Sequence, residues 1–295
     1  MICTPERTDE PPAPRRVLPA RRRIRWAVLA AVGFVLIPLV YAVAVLTPGG
    51  QRLEDAALDG VRESDLFASD TALNVISVPV ILLLVVVIIA VGLARGRLAV
   101  GIAAGVVMLA SAATSTLLKD VAARPEIAES TTPNSFPSGH ATIALAALFA
   151  VLMVTPRRFR PAVVLVGAAY AVIVANQTVV YGWHRVSDIL GACAVALVWL
   201  GAVRALGPRV DRGTRGDRDA PRGPRRLVTA VIIVGLAVVV TVGAVAVVVS
   251  VVNGAGHDQS ALLVAGRMTA SGAVLGTILT VWLADGLHAT SRLIA

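Results

Sequence analysis

The chain is 295 residues long, 57% hydrophobic and only 15% charged, with a mean hydropathy of +0.80. Soluble domains carry about 25% charged residues, and here the apolar residues gather in blocks near the ~20 residues a helix needs to cross a bilayer, which excludes one large soluble core. A net charge of +9 would suit nucleic acid, but the arginines fall in short segments between apolar blocks, as the positive-inside bias predicts, and no zinc-ligand spacing or interleaved aromatic patch accompanies them.

Residues 1–23 are rich in proline and arginine and have little to bury, which predicts a disordered cytoplasmic tail. Arg21-Arg22-Arg23 then meets the apolar block 24–46. Ala42-Val43-Ala44 resembles a signal cleavage site, but the block is long for a signal peptide and many spans follow, so it is read as a retained first helix. Further spans are expected at 72–94, 98–118, 139–155, 162–181, 187–206, 227–252 and 261–284. The fold class is therefore an all-α polytopic membrane bundle of about eight helices. The basic stretch 207–226 has no periodicity and reads as a cytoplasmic linker. It divides a transmembrane domain, 24–206, from a two-helix membrane segment, 227–295.

Charge orients the bundle. Threading eight spans puts the amino tail, Arg95 and Arg97, Arg157, Arg158 and Arg160, and the 204–226 stretch on one side. The first loop on the other side, 47–71, is acidic, with Glu54, Asp55, Asp59, Glu63, Asp65 and Asp70 against Arg52 and Arg62. The arginine side is then cytoplasmic, both termini lie there, and loops 47–71, 119–138, 181–186 and 253–260 face outward. Part of 51–66 is a candidate interfacial helix with a weak apolar face. Cys3 lies in the polar amino terminus and Cys193 in an apolar block, so neither a disulfide nor a cysteine metal site is expected.

Three polar clusters reach the outward face. The first is Lys119-Asp-Val-Ala-Ala-Arg124-Pro125. Lys119 is the only lysine among 27 basic residues, and its compact ammonium differs from the planar guanidinium fork. Lys119 and Arg124 suit phosphate oxygens, although basic residues at helix ends also snorkel to headgroups. The second cluster, Phe136-Pro137-Ser138-Gly139-His140, opens a helix whose unpaired N–H groups and dipole favour an anion. Ser138 also fits as a plain helix cap, and His140 can donate a proton near neutral pH. The third, Tyr181-Gly182-Trp183-His184-Arg185-Val186-Ser187-Asp188, spaces His184 and Asp188 by four. A carboxylate on one imidazole nitrogen makes the other a better nucleophile or base, though such pairs also occur as structure. The Tyr181 and Trp183 rings suit a membrane interface.

Together the clusters resemble the type 2 phosphatidic acid phosphatase family, which shares its core with vanadium haloperoxidases. That family carries a lysine–arginine–proline motif, a Pro-Ser-Gly-His motif, and a histidine followed four residues later by aspartate. Here Lys119, Arg124 and Pro125, then Pro137 to His140, then His184 and Asp188 match in order, over roughly 72–206. The resemblance implies a six-helix phosphatase core. It implies that His184 attacks phosphorus, Asp188 orients it, and His140 protonates the leaving oxygen and then helps water cleave the phosphohistidine. It also implies that Lys119, Arg124, Ser138 and the Gly139 N–H hold phosphoryl oxygens, with no metal or other cofactor. Two departures stand out. The usual first motif has six residues between lysine and its Arg-Pro, whereas four separate Lys119 from Arg124, and Glu126 stands at the usual arginine position. The usual third motif has Ser-Arg where Gln177 and Thr178 stand. Arg185 and Arg267 are candidates for the missing charge. His257, in an outward loop, reads as solvated; His288 falls on the cytoplasmic side; Asp285 reads as a helix end.

The function expected is hydrolysis of a lipid phosphate or diphosphate, such as a polyprenyl carrier or phosphatidic acid, at the extracytoplasmic face of a bacterial plasma membrane. Its partners would be that substrate and membrane lipids, not nucleic acid. An acceptor-dependent phosphotransferase would use the same residues. A non-catalytic membrane binding or transport protein is the alternative from another class.

Overall fold

Long runs of valine, leucine, isoleucine and alanine leave a membrane-buried backbone one local way to pair its own N–H and C=O groups, the α-helix. The computed structural model describes residues 20–63, 71–122, 124–125, 127, 134–207, 222–252 and 259–286, and among these it is helical with no strand. The expectations for the tail before residue 20, for Cys3, Glu126, His257 and His288, and for the linker over 208–221 fall outside the described residues.

Helix α1 (Ala20–Val40) runs into a π-helical turn, Tyr41–Val45, soon after Pro38, whose ring nitrogen has no hydrogen to give the preceding turn. Then come α2 (Pro48–Glu63), a single turn α3 (Thr71–Asn74), α4 (Val78–Ala94), α5 (Leu98–Val121), α6 (Gly139–Val154), α7 (Arg160–Val180), α8 (Val186–Leu206), α9 (Arg222–Val252) and α10 (Gln259–Gly286). Six of these are long and apolar enough to cross a membrane: α1 with its π turn, α5, α7, α8, α9 and α10. Helices α4 and α6 are apolar but shorter, at 17 and 16 residues. The chain is a polytopic helical membrane bundle. The span expected from residue 72 starts at Val78 because Pro79, lacking an N–H, fits only the first turn of a helix.

Helix α8 is the centre. Two thirds of its apolar window is buried, and it packs on α1, α5, α6 and α10. Its small residues make that possible. A Cβ added at Gly201 would meet Ala30 N at 2.6 Å, so the backbones of α1 and α8 touch. Helices α1 and α9 bury only 11% of their windows and present valine and leucine outward, as lipid-facing surfaces do. Helix α10 links α9 to α7, α8 and α2.

The end of the bundle formed by the start of α7 and the ends of α8 and α10 is rich in arginine. Asp285, expected only to mark a helix end, holds these helices together: Arg160 Nη1 lies 2.6 Å and Arg204 Nη2 3.0 Å from its carboxylate. The Arg204 guanidinium covers the Trp26 ring at 4.3 Å, and Arg225 covers Trp282 at 4.1 Å. Arg95 closes the α4 end onto the Val154 carbonyl of α6.

Candidate active site

At the opposite end, the last turns of α5 and α7 meet the first turns of α6 and α8. The loop before α6 is fastened on three sides. Ser138 N–H donates to the Asp188 carbonyl at 2.9 Å, Ser115 Oγ donates to the Pro137 carbonyl at 3.3 Å, and the Asn134 amide bonds the Ala122 carbonyl. Phe136 fills the space this leaves. It is fully buried, its ring is 5.6 Å from that of Tyr41, and a Cβ at Gly191 would strike its Cε2 at 2.5 Å. Gly191 is thus what lets the loop lie flat on α8.

Ser138 is buried and caps α6, its Oγ accepting from Ala141 N–H at 3.4 Å. The Gly139 and His140 N–H groups precede the first intrahelical bonds, where an anion is favoured. Lys119 closes over this point from α5: a Cβ at Gly139 would lie 3.5 Å from Lys119 Nζ. The ammonium and the helix start therefore face one small space. His140 is half-buried, within electrostatic reach of His184 and Lys119, and its ring centroid lies 6.0 Å from that of exposed Trp183. Tyr181 stacks beside Trp183 at 5.4 Å.

His184 and Asp188 meet as their spacing predicts. His184 Nδ1 is 3.1 Å from Asp188 Oδ2, and the carboxylate is fully buried. The same oxygen accepts from Ser135 Oγ at 2.5 Å and from Arg185 N–H at 2.9 Å. Such an acceptor places the imidazole proton on Nδ1 and leaves the Nε2 lone pair available to an electrophile. Thr178 fixes the histidine from behind, its carbonyl accepting His184 N–H at 3.0 Å.

Arg124 reaches this end of the bundle through the shortened loop. Its Nη2 faces Glu54 Oε2 at 3.4 Å, while Nε and Nη1 are buried without a hydrogen-bond partner among the described residues. Glu54 Oε1 also accepts Ser187 N–H at 3.0 Å, at the start of α8. Burial pushes the Glu54 carboxyl above its ordinary range and the Asp188 charge adds to this, against the opposing hydrogen bond from Ser187 and the Arg124 charge. Neither candidate for the missing third-motif charge is turned to this purpose. Arg185 pairs with Asp55, Nη2 to Oδ1 2.9 Å. Arg267 Nε donates to Asn176 Oδ1 at 3.2 Å, in a polar link between α10 and α7 that continues to Ser271. Thr178, at the family's arginine position, is buried and bonds the Ala175 carbonyl.

Sequence reasoning missed Gln51, Glu54, Asp55 and Ser135. A polar face at i, i+3, i+4 in 51–55 was the available signal for the first three; Ser135 had none beyond its place before the second motif. Among the described residues no group of three histidine, cysteine, aspartate or glutamate side chains is placed to hold a metal. Lys119 and the start of α6 face one point where a compact anion is favoured, and the Arg124 guanidinium lies against Glu54 at the same end of the bundle. Residues 100–212, which contain all of these motif residues, match the model of the PAP2 superfamily. No curated protein and no solved structure matches the chain.

Proposed function

From the PAP2 superfamily domain that this chain carries over residues 100–212, we propose a membrane-embedded lipid phosphatase working through a phosphohistidine on His184. The superfamily supports a phosphatase-type activity on phosphate esters, and the helical bundle supports a membrane setting. The observation that carries the mechanism is the buried Asp188 oxygen on His184 Nδ1, because it leaves Nε2 as the nucleophilic lone pair.

In the first step Nε2 attacks phosphorus and the bond to the lipid oxygen breaks, with His140 giving that oxygen a proton. The imidazolium formed at His184 is stabilised by Asp188. In the second step His140, now the base, takes a proton from water; the water oxygen attacks phosphorus, the P–N bond breaks, and inorganic phosphate leaves. Lys119, Arg124 and the α6 N–H groups offset the charge on the phosphoryl oxygens throughout. Ser138 holds that helix start in place.

The arginine-rich end around Asp285 lies opposite this site, which supports an extracytoplasmic active site by the positive-inside bias. A lipid headgroup at that interface, its tails in the bilayer, is the substrate class that fits, with polyprenyl phosphate or diphosphate and phosphatidic acid as the lipids to test. Phosphate release by detergent-purified protein from a panel of lipid phosphates, beside His184→Ala, tests the reading. Release lost in the variant is expected. Release that survives the substitution, or no release from any lipid by folded protein, would overturn it.

A further inference from the structure

Helix α2 lies outside the matched segment, yet it touches both loops that carry the site. Gln51 is fully buried, and its Nε2 donates to the Pro125 carbonyl at 2.8 Å and to the Val45 carbonyl at 2.7 Å. One turn later Glu54 is bound on both oxygens, Oε1 by Ser187 N–H and Oε2 by Arg124. Beside it Asp55 Oδ1 accepts from Arg185 Nη2 at 2.9 Å and Nε at 3.3 Å. Three side chains on one helical face thus fasten Arg124-Pro125 to Arg185–Ser187, and so to His184. The helix is itself seated firmly: a Cβ at Gly60 would meet the Gln259 carbonyl oxygen at 2.2 Å, so α2 and α10 are in backbone contact.

An arginine on a loop has many rotamers, and holding a planar guanidinium on a small anion requires that most be excluded. The first motif is short here, and Arg124 follows the end of α5 rather than sitting on it. Glu54 supplies the missing constraint. It occupies one terminal nitrogen and leaves Nε and Nη1, both buried and unpartnered among the described residues, for an incoming oxyanion. A carboxylate could instead compete with phosphate for Arg124. Its other oxygen is anchored on the first turn of α8, however, so it is fixed as a backstop.

We infer that α2 is a strap across the phosphate site and that Glu54 is a positioning residue that aims Arg124. This rests on the lipid phosphatase reading, but its test separates the two. Glu54→Gln keeps the size and an acceptor for Ser187 N–H and removes the charge facing Arg124. The full chain in detergent is compared as wild type, Glu54→Gln, Arg124→Ala and the double variant. Two quantities are read: KM and kcat for lipid phosphate, and binding of orthovanadate by its thermal stabilisation of the protein. Glu54→Gln is expected to raise KM and weaken vanadate binding about tenfold, with kcat within about threefold of wild type. In the Arg124→Ala background it should add nothing. Independent, additive losses in the double variant, or tighter vanadate binding by Glu54→Gln, would overturn the strap. Phosphate release that persists in His184→Ala would instead sink the phosphohistidine reading, while the comparison of Glu54→Gln with Arg124→Ala and their double variant would still decide the strap.

Discussion

Replacing Asp188 by asparagine keeps the shape of the side chain and removes the charge on which three donors converge. Oδ2 takes the hydrogens of His184 Nδ1, Ser135 Oγ and Arg185 N, while Oδ1 is buried with no partner among the described residues. An asparagine has two ways to sit there. With its oxygen at the Oδ2 position, the NH2 group occupies the unpartnered pocket, and a buried unmade hydrogen bond costs about 1–3 kcal/mol of stability. With the NH2 at Oδ2, donor meets donor, and the imidazole answers by moving its proton to Nε2 so that Nδ1 can accept. The nitrogen that must attack phosphorus is then capped. A wrong tautomer in a carboxylate-oriented histidine lowers kcat by about 10^4, which at ~1.36 kcal/mol per decade is about 5.4 kcal/mol of transition-state stabilisation. The assay is phosphate release under saturating lipid phosphate, with thermal unfolding in the same detergent as a control. A folded Asp188→Asn protein that keeps both wild-type thermal stability and a kcat within about tenfold of wild type would refute the assignment of the attacking nitrogen, because each orientation of the asparagine forfeits one or the other.

Gly191→Ala should cost about 1–3 kcal/mol through overpacking, because its Cβ would lie 2.5 Å from Phe136 Cε2; unchanged thermal unfolding would refute the close contact. Asp285→Ala removes the buried carboxylate that Arg160 and Arg204 share and should cost about 3–5 kcal/mol, and because Asp285 lies at the far end of the bundle from His184 the KM of the surviving folded protein should hold. The Glu54 carboxyl is raised above its ordinary value by burial, so the folded chain holds this proton more tightly than the unfolded chain does. Its contribution to stability is then full below the unfolded value and is lost as pH rises through the folded one. Unfolding measured across that range should show wild type losing ground against Glu54→Gln as pH rises; a constant difference would contradict the shift.

The apolar blocks made the helices legible, since backbone pairing in lipid allows little else. The three motifs made His184, Asp188, His140 and Lys119 legible as neighbours, because antiparallel spans bring the end of α5 and the starts of α6 and α8 to one face. What escaped was held by polar contacts over long separations. Glu54 meets Arg124 and Ser187 at separations of 70 and 133 residues, and no periodicity reports such a pair. The weak apolar face of 51–66 had the same origin, for α2 docks partly through buried Gln51 and Glu54 rather than through leucines. Asp285 does lie at the end of α10, as its sequence position suggests, and a carboxylate at an arginine-rich helix end also calls for partners. Arg267 likewise turned out to be tied to Asn176 on a neighbouring helix.

The phosphohistidine on His184 is best tested by trapping it. Protein quenched during turnover of a lipid substrate carrying a radiolabelled phosphoryl group should hold label that is lost in acid and stable in base, as a P–N bond is. That label should vanish in His184→Ala. Label retained in that variant, or none trapped from a rapidly quenched enzyme in full turnover, would contradict a covalent intermediate on His184.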